Sequence, residues 1–291
     1  MLYRIARRFS EISRVWSTLV LSFVDLVLAQ YWNWTGRRSF RLGYMSSRRR
    51  TTVAYLNSGK FAKEDWTRYG VDLDERIVEY PWVLGKLGAQ AGCVLDAGSS
   101  LNFDYLLARP ELASKQLFIS TLAPELRAYP HLGVSYVFED LRKSCYRDGY
   151  FDVVVCVSTL EHVGLDNTLL YTSDSALKEF APDGYLEVIS EFRRMLKPGG
   201  RLMITVPYGV HAVRGWYQVF DAAMMNSVVE RFHPSAVTAE YFLYAADGWR
   251  RASADECAEA DTHDPHLSQQ SDADAPASSR AVCCLVLTTD G

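Results

Sequence analysis

The chain has 291 residues, 48% of them hydrophobic and 23% charged, so it is long enough to bury a core and is not globally disordered. Its net charge of −4 hides an asymmetry: residues 1–50 contain ten arginines and two acids, a net charge of +8, which leaves −12 on the rest. The acidic remainder of the chain is therefore unsuited to binding phosphate groups. Any anionic partner, such as a membrane surface or a nucleic acid, is expected to bind residues 1–50. The six cysteines form no Cys-x-x-Cys pair, which fits a reducing compartment and disfavours a structural zinc site.

The first predicted element is an apolar segment, Val15 to Trp32, with aromatic residues at its ends and arginines beyond them. On a helix, Thr18, Ser22 and Asp25 form one narrow polar stripe and leave a broad apolar face. The segment is short for a membrane span, whereas interfacial aromatics and nearby arginines suit a helix that lies in a membrane surface. A helix packed on the domain or on a second subunit is the alternative. Residues 1–50 are therefore interpreted as a basic, apolar extension that anchors at a membrane surface.

Residues 51–90 are predicted to be a helical lead-in. The short run Arg48-Arg49-Arg50 either binds anionic lipid or nucleic acid, or is a solvated loop. The pattern of Asp74 to Leu87 predicts a helix, in which Pro81 predicts a kink or a break. Because this helix precedes the first strand, we expect it to cover the ligand cleft.

From residue 91 to residue 291, apolar runs alternate with helical patterns, as in a mostly parallel sheet that is covered on both faces. The clearest helix is Asp183 to Leu196, ended by Pro198-Gly199-Gly200. Residues 258–280 are acidic and poor in large apolar side chains, which predicts a disordered insertion before the last strand.

One stretch, Val94 to Asn102, marks the expected ligand site. An apolar run ends in Asp96, Gly98 follows, and a helix start comes next. In open α/β sheets, ligands bind beyond the carboxyl ends of the strands. A dinucleotide site would need G-x-G-x-x-G, and Gly98 is the only glycine here, so a nicotinamide-dependent oxidoreductase is disfavoured.

Two later stretches complete a pattern. The buried strand Phe151 to Val157 leads into Leu160-Glu161-His162-Val163, and Leu196 to Ile204 contains Leu-Lys-Pro-Gly-Gly before a strand. In this order the three stretches resemble the class I S-adenosylmethionine-dependent methyltransferases, over roughly residues 90–210. Glu79-Tyr80-Pro81-Trp82 and the turn at Asn102 resemble methyltransferase-domain proteins of bacterial surface-polysaccharide pathways.

The resemblance implies an α/β fold, the Rossmann-like seven-stranded methyltransferase sheet, with Val282–Leu287 inserted antiparallel as its last strand. It implies S-adenosyl-L-methionine as cofactor. In the family pattern, Asp96 and the turn after it hold the methionine part, Asp140 accepts from the adenine amino group, Leu141 lies against the base and Ser158 lies near the sulfonium. The residues expected at the cofactor are Asp96, Gly98, Ser99, Ser100, Asn102, Asp140, Leu141 and Ser158.

The sequence departs from the family pattern at two places. Ser100 and Asn102 stand where further glycines are usual, and both residue types still fit tight turns. Ser120-Thr121 stands where an acid usually binds the ribose, with Glu125 as the nearest substitute.

Methyl transfer requires alignment of a nucleophile and, for a hydroxyl acceptor, a nearby base. His162 is the candidate base, because it follows the fourth strand, and Glu161 is the candidate group to orient it. Alternatively, His162 bonds the backbone. No metal is expected.

The sequence thus predicts a cytoplasmic enzyme, peripheral at the inner face of the membrane, that methylates a small or glycan-like acceptor at oxygen. A catalytically inactive methyltransferase-fold scaffold at a membrane is the alternative. A nucleic-acid methyltransferase is disfavoured, because no Asn/Asp-Pro-Pro-aromatic stretch follows the fourth strand.

Overall fold

A mixed eight-stranded sheet forms the centre of the protein. The computed structural model describes residues 20, 22–37, 40–59, 69–172, 174–262 and 279–291. The strands are β1 (Gly92–Ala97), β2 (Lys115–Thr121), β3 (Ser135–Phe138), β4 (Phe151–Val157), β5 (Leu196–Pro207), β6 (Ala212–Val213), β7 (Gln218–Val219), β8 (Ala236–Ala245), β9 (Gly248–Ala252) and β10 (Ala281–Thr288). The sheet order is β3-β2-β1-β4-β5-β10-β8-β9, and β6 pairs with β7 separately.

The described helices lie on both faces of this sheet. Residues 22–34 form the N-terminal helix. It is followed by α1 (Tyr44–Asn57), α2 (Arg76–Leu87), α3 (Asp104–Leu107), α4 (Pro110–Ala113), α5 (Thr168–Tyr171), α6 (Tyr185–Met195), α7 (Ala222–Phe232) and α8 (Ala254–Ala258). Short 3₁₀ turns follow β3 at Leu141–Lys143 and β4 at Leu160–His162.

The predicted Rossmann-like fold is confirmed, with one more strand than expected. The first five strands pair in parallel, and β10 inserts antiparallel between β5 and β8, as predicted for Val282–Leu287. The additional strand is β9, which forms a hairpin with β8. Its Trp249 is fully buried and donates from Nε1 to the Leu73 carbonyl at 2.9 Å, which fixes the hairpin to the segment before α2.

Alternating side chains of the parallel strands build two cores. On one face, Val94, Val153 and Val155 pack with residues of α2. On the other face, Leu95 and Val154 pack with α6 and α7. Both faces of each central strand are therefore buried, which explains the continuous apolar runs in the sequence.

The break predicted at Pro81 is absent. α2 runs without interruption from Arg76 to Leu87, and nine of its twelve residues are buried. Proline costs one backbone hydrogen bond inside a helix. Here, the packing of Tyr80, Trp82 and Val83, all at most 3% exposed, outweighs that loss.

The Pro198-Gly199-Gly200 turn does not end the preceding helix. α6 stops at Met195 because Leu196 already pairs with Phe151 in the sheet. The turn is part of β5, where the Gly199 N–H donates to the Asp290 carbonyl at 2.8 Å. It therefore holds the carboxyl-terminal residues against the sheet.

The run Arg48-Arg49-Arg50 is neither a loop nor fully solvated, because all three residues lie in α1. Arg48 is 6% exposed, and its guanidinium lies 2.6 Å from the Asp74 carboxylate. Arg49 pairs with Asp25 and Asp104, each at 3.4 Å. Two of the three arginines thus serve the fold.

The N-terminal helix contacts the protein through Asp25, Ala29 and Trp32 and leaves most of its large apolar side chains exposed. Asp25 accepts from Ser46 at 2.9 Å and pairs with Arg49 of α1, while Ala29 and Trp32 are buried. Six of the seven exposed large side chains of this segment are spaced as on one helix face, with Leu26 off that face: Val20, Phe23, Val24, Val27, Tyr31 and Trp34. No helix among the described residues has the length and apolarity to cross a membrane. Thr18 and the start of the predicted segment lie outside the described residues, as do residues 263–278 of the predicted insertion.

Candidate active site

A cavity of about 470 Å³ lies beyond the carboxyl ends of β1, β2 and β4. This volume is in the usual range for small-molecule sites. The segment before α2, the first residue of α2 and the 3₁₀ turns after β3 and β4 form its walls, so the N-terminal end of α2 borders the cleft that the helix is predicted to cover. The candidate residues on these walls are Gly98, Ser100, Asp140, Leu141, Ser158, Glu161 and His162.

The first turn depends on Gly98. Its φ of +111° belongs to the left-handed region, and a Cβ there would lie 2.0 Å from Thr159 Oγ1. Only glycine lets β1 and the turn after β4 approach so closely. Ser100 fixes the same contact, since its hydroxyl donates to the Val157 carbonyl at 2.6 Å.

Three predicted cofactor residues are not brought to the cavity wall. Asp96 is fully buried behind the turn and accepts from the Leu101 N–H at 2.9 Å, and burial raises its pKa to about 7. Ser99 is also buried, with a φ of +63°. Asn102 bonds Glu125, the Arg127 carbonyl and Tyr136, and is 3% exposed. These residues shape the turn, and their contact with a cofactor stays a prediction.

Asp140 and Leu141 lie together after β3. The Arg142 guanidinium binds the Asp140 carboxylate with a contact of 2.6 Å and also pairs with Glu179. The hydrogen bonds from Arg142 lower the pKa of Asp140 against the opposing effect of its partial burial. The carboxylate is therefore ionised and fixed in direction, beside the apolar side chain of Leu141.

No acid stands at the end of β2. Ser120 is buried and donates to Glu139, while Thr121 reaches the cavity wall with a hydroxyl. Glu125 lines a separate, smaller cavity and binds Asn102, so it does not substitute for the missing acid in this arrangement.

Ser158, at the tip of β4, is held by a buried network. Its φ is +36°, and its hydroxyl donates to Glu79 Oε1 at 2.6 Å. The same oxygen accepts from Thr205 at 2.7 Å, while Glu79 Oε2 lies 2.6 Å from the Arg76 guanidinium. Glu79 is fully buried, so this network fixes a strained residue at the cavity.

His162 lies on the opposite wall. Its Nδ1 is 2.9 Å from the Trp216 carbonyl oxygen, and its ring stacks on the indole of Trp216 with centroids 4.9 Å apart. A carbonyl only accepts, so Nδ1 carries the proton and Nε2 is an acceptor at the cavity. Burial lowers the pKa of His162 to about 4. The backbone bond foreseen as an alternative exists, and it leaves the second nitrogen unprotonated.

Glu161 does not orient His162 as expected, because Trp216 provides that contact. Its Oε1 lies 3.9 Å from His162 Nε2, and both residues line the cavity. Glu161 is 4% exposed, and burial raises its pKa well above the usual value. Glu161 and His162 therefore present two acceptors to the same part of the cavity.

Sequence reasoning missed the residues that α2 and the β6–β7 segment contribute. Asp74, Glu75 and Arg76 come from the start of α2, and Trp216 comes from the short hairpin. The first group could have been found from the sequence, because three consecutive charged residues stand at the start of a helix that was expected to cover the cleft. No local pattern placed Trp216 under His162.

Comparison with known families adds a second line of evidence. A family model described as a methyltransferase domain matches residues 97–204. No curated protein matches the sequence. Three solved structures illustrate the similarity of the fold.

A putative methyltransferase from Bacillus halodurans is 11% identical, with 74% of this chain and 100% of that chain covered and a TM-score of 0.45. A second structure is the Burkholderia thailandensis 1,6-didemethyltoxoflavin-N1-methyltransferase with bound 1,6-didemethyltoxoflavin and S-adenosylhomocysteine. It is 15% identical, with 85% of this chain and 89% of that chain covered and a TM-score of 0.46. The Haemonchus contortus phosphoethanolamine N-methyltransferase 2 in complex with S-adenosyl-L-methionine is 12% identical, covers 74% and 53%, and has a TM-score of 0.46.

The chain thus contains a methyltransferase domain over residues 97–204. S-adenosyl-L-methionine is the cofactor of the S-adenosylmethionine-dependent methyltransferases, which this sequence resembles. The cavity fits it in two respects: the Asp140 carboxylate can accept from the adenine amino group, and Leu141 offers an apolar surface for the adenine ring. Thr121, which follows Ser120 at the end of β2 where the family usually has a ribose-binding acid, also lines the cavity.

Proposed function

We propose that this protein methylates a hydroxyl oxygen of a small or glycan-like acceptor, with His162 as the general base. The observation that carries the proposal is the neutral imidazole of His162, held by Trp216 with Nε2 at the cavity. When bound, S-adenosyl-L-methionine supplies a methyl group that is already activated on a sulfonium. The protein has to align the acceptor, accept its proton and exclude water.

Each wall of the cavity has a part in this reaction. Gly98 and Ser158 lie where β1 and β4 approach each other closely. Asp140 and Leu141 bind the adenine ring of the cofactor. Nε2 of His162 accepts the hydroxyl proton as the oxygen attacks. The low pKa of His162 keeps its ring neutral at pH 7, which leaves the Nε2 lone pair available for the hydroxyl proton but makes Nε2 a weak base.

Calorimetric titration with S-adenosyl-L-methionine and S-adenosylhomocysteine tests the cofactor site. We expect Asp140→Asn to weaken both ligands about tenfold, the value of one hydrogen bond to a charged group. Asp148→Asn is the matched control, because Asp148 is an 82% exposed partner of Arg194. Failure of the folded wild-type protein to bind either ligand contradicts the proposal and favours the non-catalytic scaffold.

The N-terminal helix supports a second element of the proposal, attachment to an anionic membrane surface. Its apolar face points away from the protein, and Tyr31 and Trp34 stand at its end near Arg37 and Arg41. Aromatic and basic residues beside an outward apolar face suit the interface of an anionic bilayer. Basic side chains there attract anionic headgroups and repel the same basic face of a second copy.

Vesicle flotation tests this attachment. The full chain is expected to float with vesicles of phosphatidylcholine and phosphatidylglycerol, and Phe23→Ser with Val27→Ser is expected to abolish flotation. Phe180→Ser is the control, because Phe180 is as exposed as Phe23 but far along the chain. If the double variant floats like the wild type, the face does not bind the membrane. If the wild type dimerises through this face instead, the occupant is a second copy.

A further inference from the structure

The charged side chains that line the cavity are not all paired with each other. The three arginines on its described walls are already paired with carboxylates, Arg48 with Asp74 and Arg76 with Glu79, each at 2.6 Å. Arg142 pairs with Asp140 and Glu179 in the same way. Glu75 and Glu161 form no ion pair with an arginine or a lysine among the described residues.

These two carboxyl groups also have unused hydrogen-bonding atoms. Oε2 of Glu75 and Oε2 of Glu161 are buried without a hydrogen-bond partner, and so is Oδ1 of Asp74. All three residues line the cavity. Asp74 and Glu161 are 3% and 4% exposed, so their free oxygens belong to built parts of the wall and not to its surface.

A buried acceptor without a partner costs free energy, and a native protein retains such atoms mainly where a ligand satisfies them. Neutral hydroxyl groups would satisfy single lone pairs. An ammonium group would donate up to three hydrogen bonds and would also neutralise an unpaired carboxylate. The Arg76 guanidinium, which is paired with Glu79, acts on both carboxyl groups only at longer range. Neither carboxyl group has a direct cationic partner among the described residues, so the ammonium group is the better match.

We propose that Glu75 and Glu161 bind a cationic amino group of the acceptor, which is therefore an amino sugar or another amino alcohol. This inference rests on the proposed function: the amino group anchors the acceptor while His162 accepts the proton of a nearby hydroxyl. The 3.9 Å between Glu161 Oε1 and His162 Nε2 places the anchor and the base one functional group apart. Burial and neighbouring acids raise the pKa of both carboxyl groups, so binding of the cation releases protons.

The test uses matched pairs of probes on the full chain saturated with S-adenosylhomocysteine at pH 8. The pairs are D-glucosamine with D-glucose, D-galactosamine with D-galactose, and ethanolamine with ethylene glycol. Calorimetry in two buffers of different ionisation enthalpy gives affinity and proton release together. At least one amine is expected to bind about tenfold tighter than its hydroxyl partner, as a charge-assisted hydrogen bond predicts.

The double variant Glu75→Gln with Glu161→Gln is expected to reduce this preference to about threefold or less, with S-adenosylhomocysteine affinity unchanged. Glu259→Gln, an exposed acid outside the cavity, is the control. The proposal is overturned if no amine is preferred, or if the preference persists in the double variant. It is also overturned if the double variant binds S-adenosyl-L-methionine more weakly but binds S-adenosylhomocysteine as the wild type does. In that case the two carboxyl groups stabilise the sulfonium charge of the cofactor. Loss of S-adenosylhomocysteine binding by the wild type would instead mark failure of the proposed function.

Discussion

His162 and Trp216 are joined by a 2.9 Å contact from Nδ1 to the carbonyl oxygen and by stacked rings at an interplanar angle of 17°. The two residues are far apart in the chain, and each limits the freedom of the other. The bond fixes the tautomer, and the stack fixes the plane of the imidazole. A base held in this way loses little entropy when the acceptor binds.

Replacement of His162 by asparagine tests the role of the second nitrogen. The asparagine amide can still donate to the Trp216 carbonyl, but nothing replaces Nε2. We expect kcat to fall about 10²- to 10⁴-fold, the usual contribution of a general base, with S-adenosylhomocysteine affinity unchanged. The control is His211→Asn, because His211 makes the same 2.9 Å contact to a carbonyl, that of Val219, away from the cavity. Equal losses in both variants would show a merely structural effect.

The pH dependence of activity and stability follows from the lowered pKa of His162. Because its pKa in the folded protein is about 4 and its ordinary value is 6.5, the folded state binds fewer protons than the unfolded state between these values. The contribution of this group to stability is therefore present above pH 6.5 and is lost as the pH falls toward 4. The rate is expected to show no inflection from His162 near pH 6.5. A pH profile of kcat measures the first effect, and urea unfolding at the same pH values measures the second. In His162→Asn, the fall in unfolding free energy between pH 6.5 and pH 4 should be smaller by the contribution of His162.

Gly98→Ala tests the close approach of β1 and the turn after β4. Both the φ of +111° and the 2.0 Å distance from a Cβ to Thr159 Oγ1 oppose the added methyl group. We expect loss of S-adenosylhomocysteine binding and destabilisation above the roughly 1 kcal/mol typical of a left-handed glycine alone. Gly133→Ala measures that backbone effect separately, because Gly133 has a φ of +78° and open space around it. Comparable behaviour of the two variants in thermal unfolding and calorimetry would contradict the expectation.

Glu79→Ala tests the buried network behind Ser158. The substitution leaves the Arg76 guanidinium without its carboxylate and removes the acceptor of two hydroxyl groups. A stranded buried charge costs about 3–5 kcal/mol of unfolding free energy. Asp148→Ala breaks a surface pair with Arg194 and should cost less than about 1 kcal/mol. Denaturant unfolding of the two variants gives the comparison, and a loss of similar size in both would show that the Glu79 network adds no special stability.

The sheet was predictable because its signals are local. Buried parallel strands have continuous apolar runs, and Val94, Val154 and their neighbours repeat that pattern strand after strand. The antiparallel last strand followed from the family resemblance and is present. The hairpin of β8 and β9 was missed, since Gly248 to Ala252 contains two arginines and only one large apolar residue, Trp249. Its burial depends on contact with Leu73, which no local pattern reports.

The candidate site was predictable in part. Positions at strand ends, such as Gly98, Ser158 and His162, followed from topology. The roles of Asp96 and Asn102 did not, because burial behind the turn depends on how the chain folds over them. Pro81 shows the same limit: its local preference opposes a helix, and the packing of α2 on the sheet overrides it.

Thr262 and Ser279 pair in an antiparallel bridge at the rim of the cavity, so these two residues lie side by side. A domain inserted between two adjacent residues costs mainly loop-closure entropy. This bridge is consequently a natural attachment point for a reporter. A circularly permuted fluorescent protein inserted between these two residues would stand beside the cavity and convert its occupancy into a change of emission.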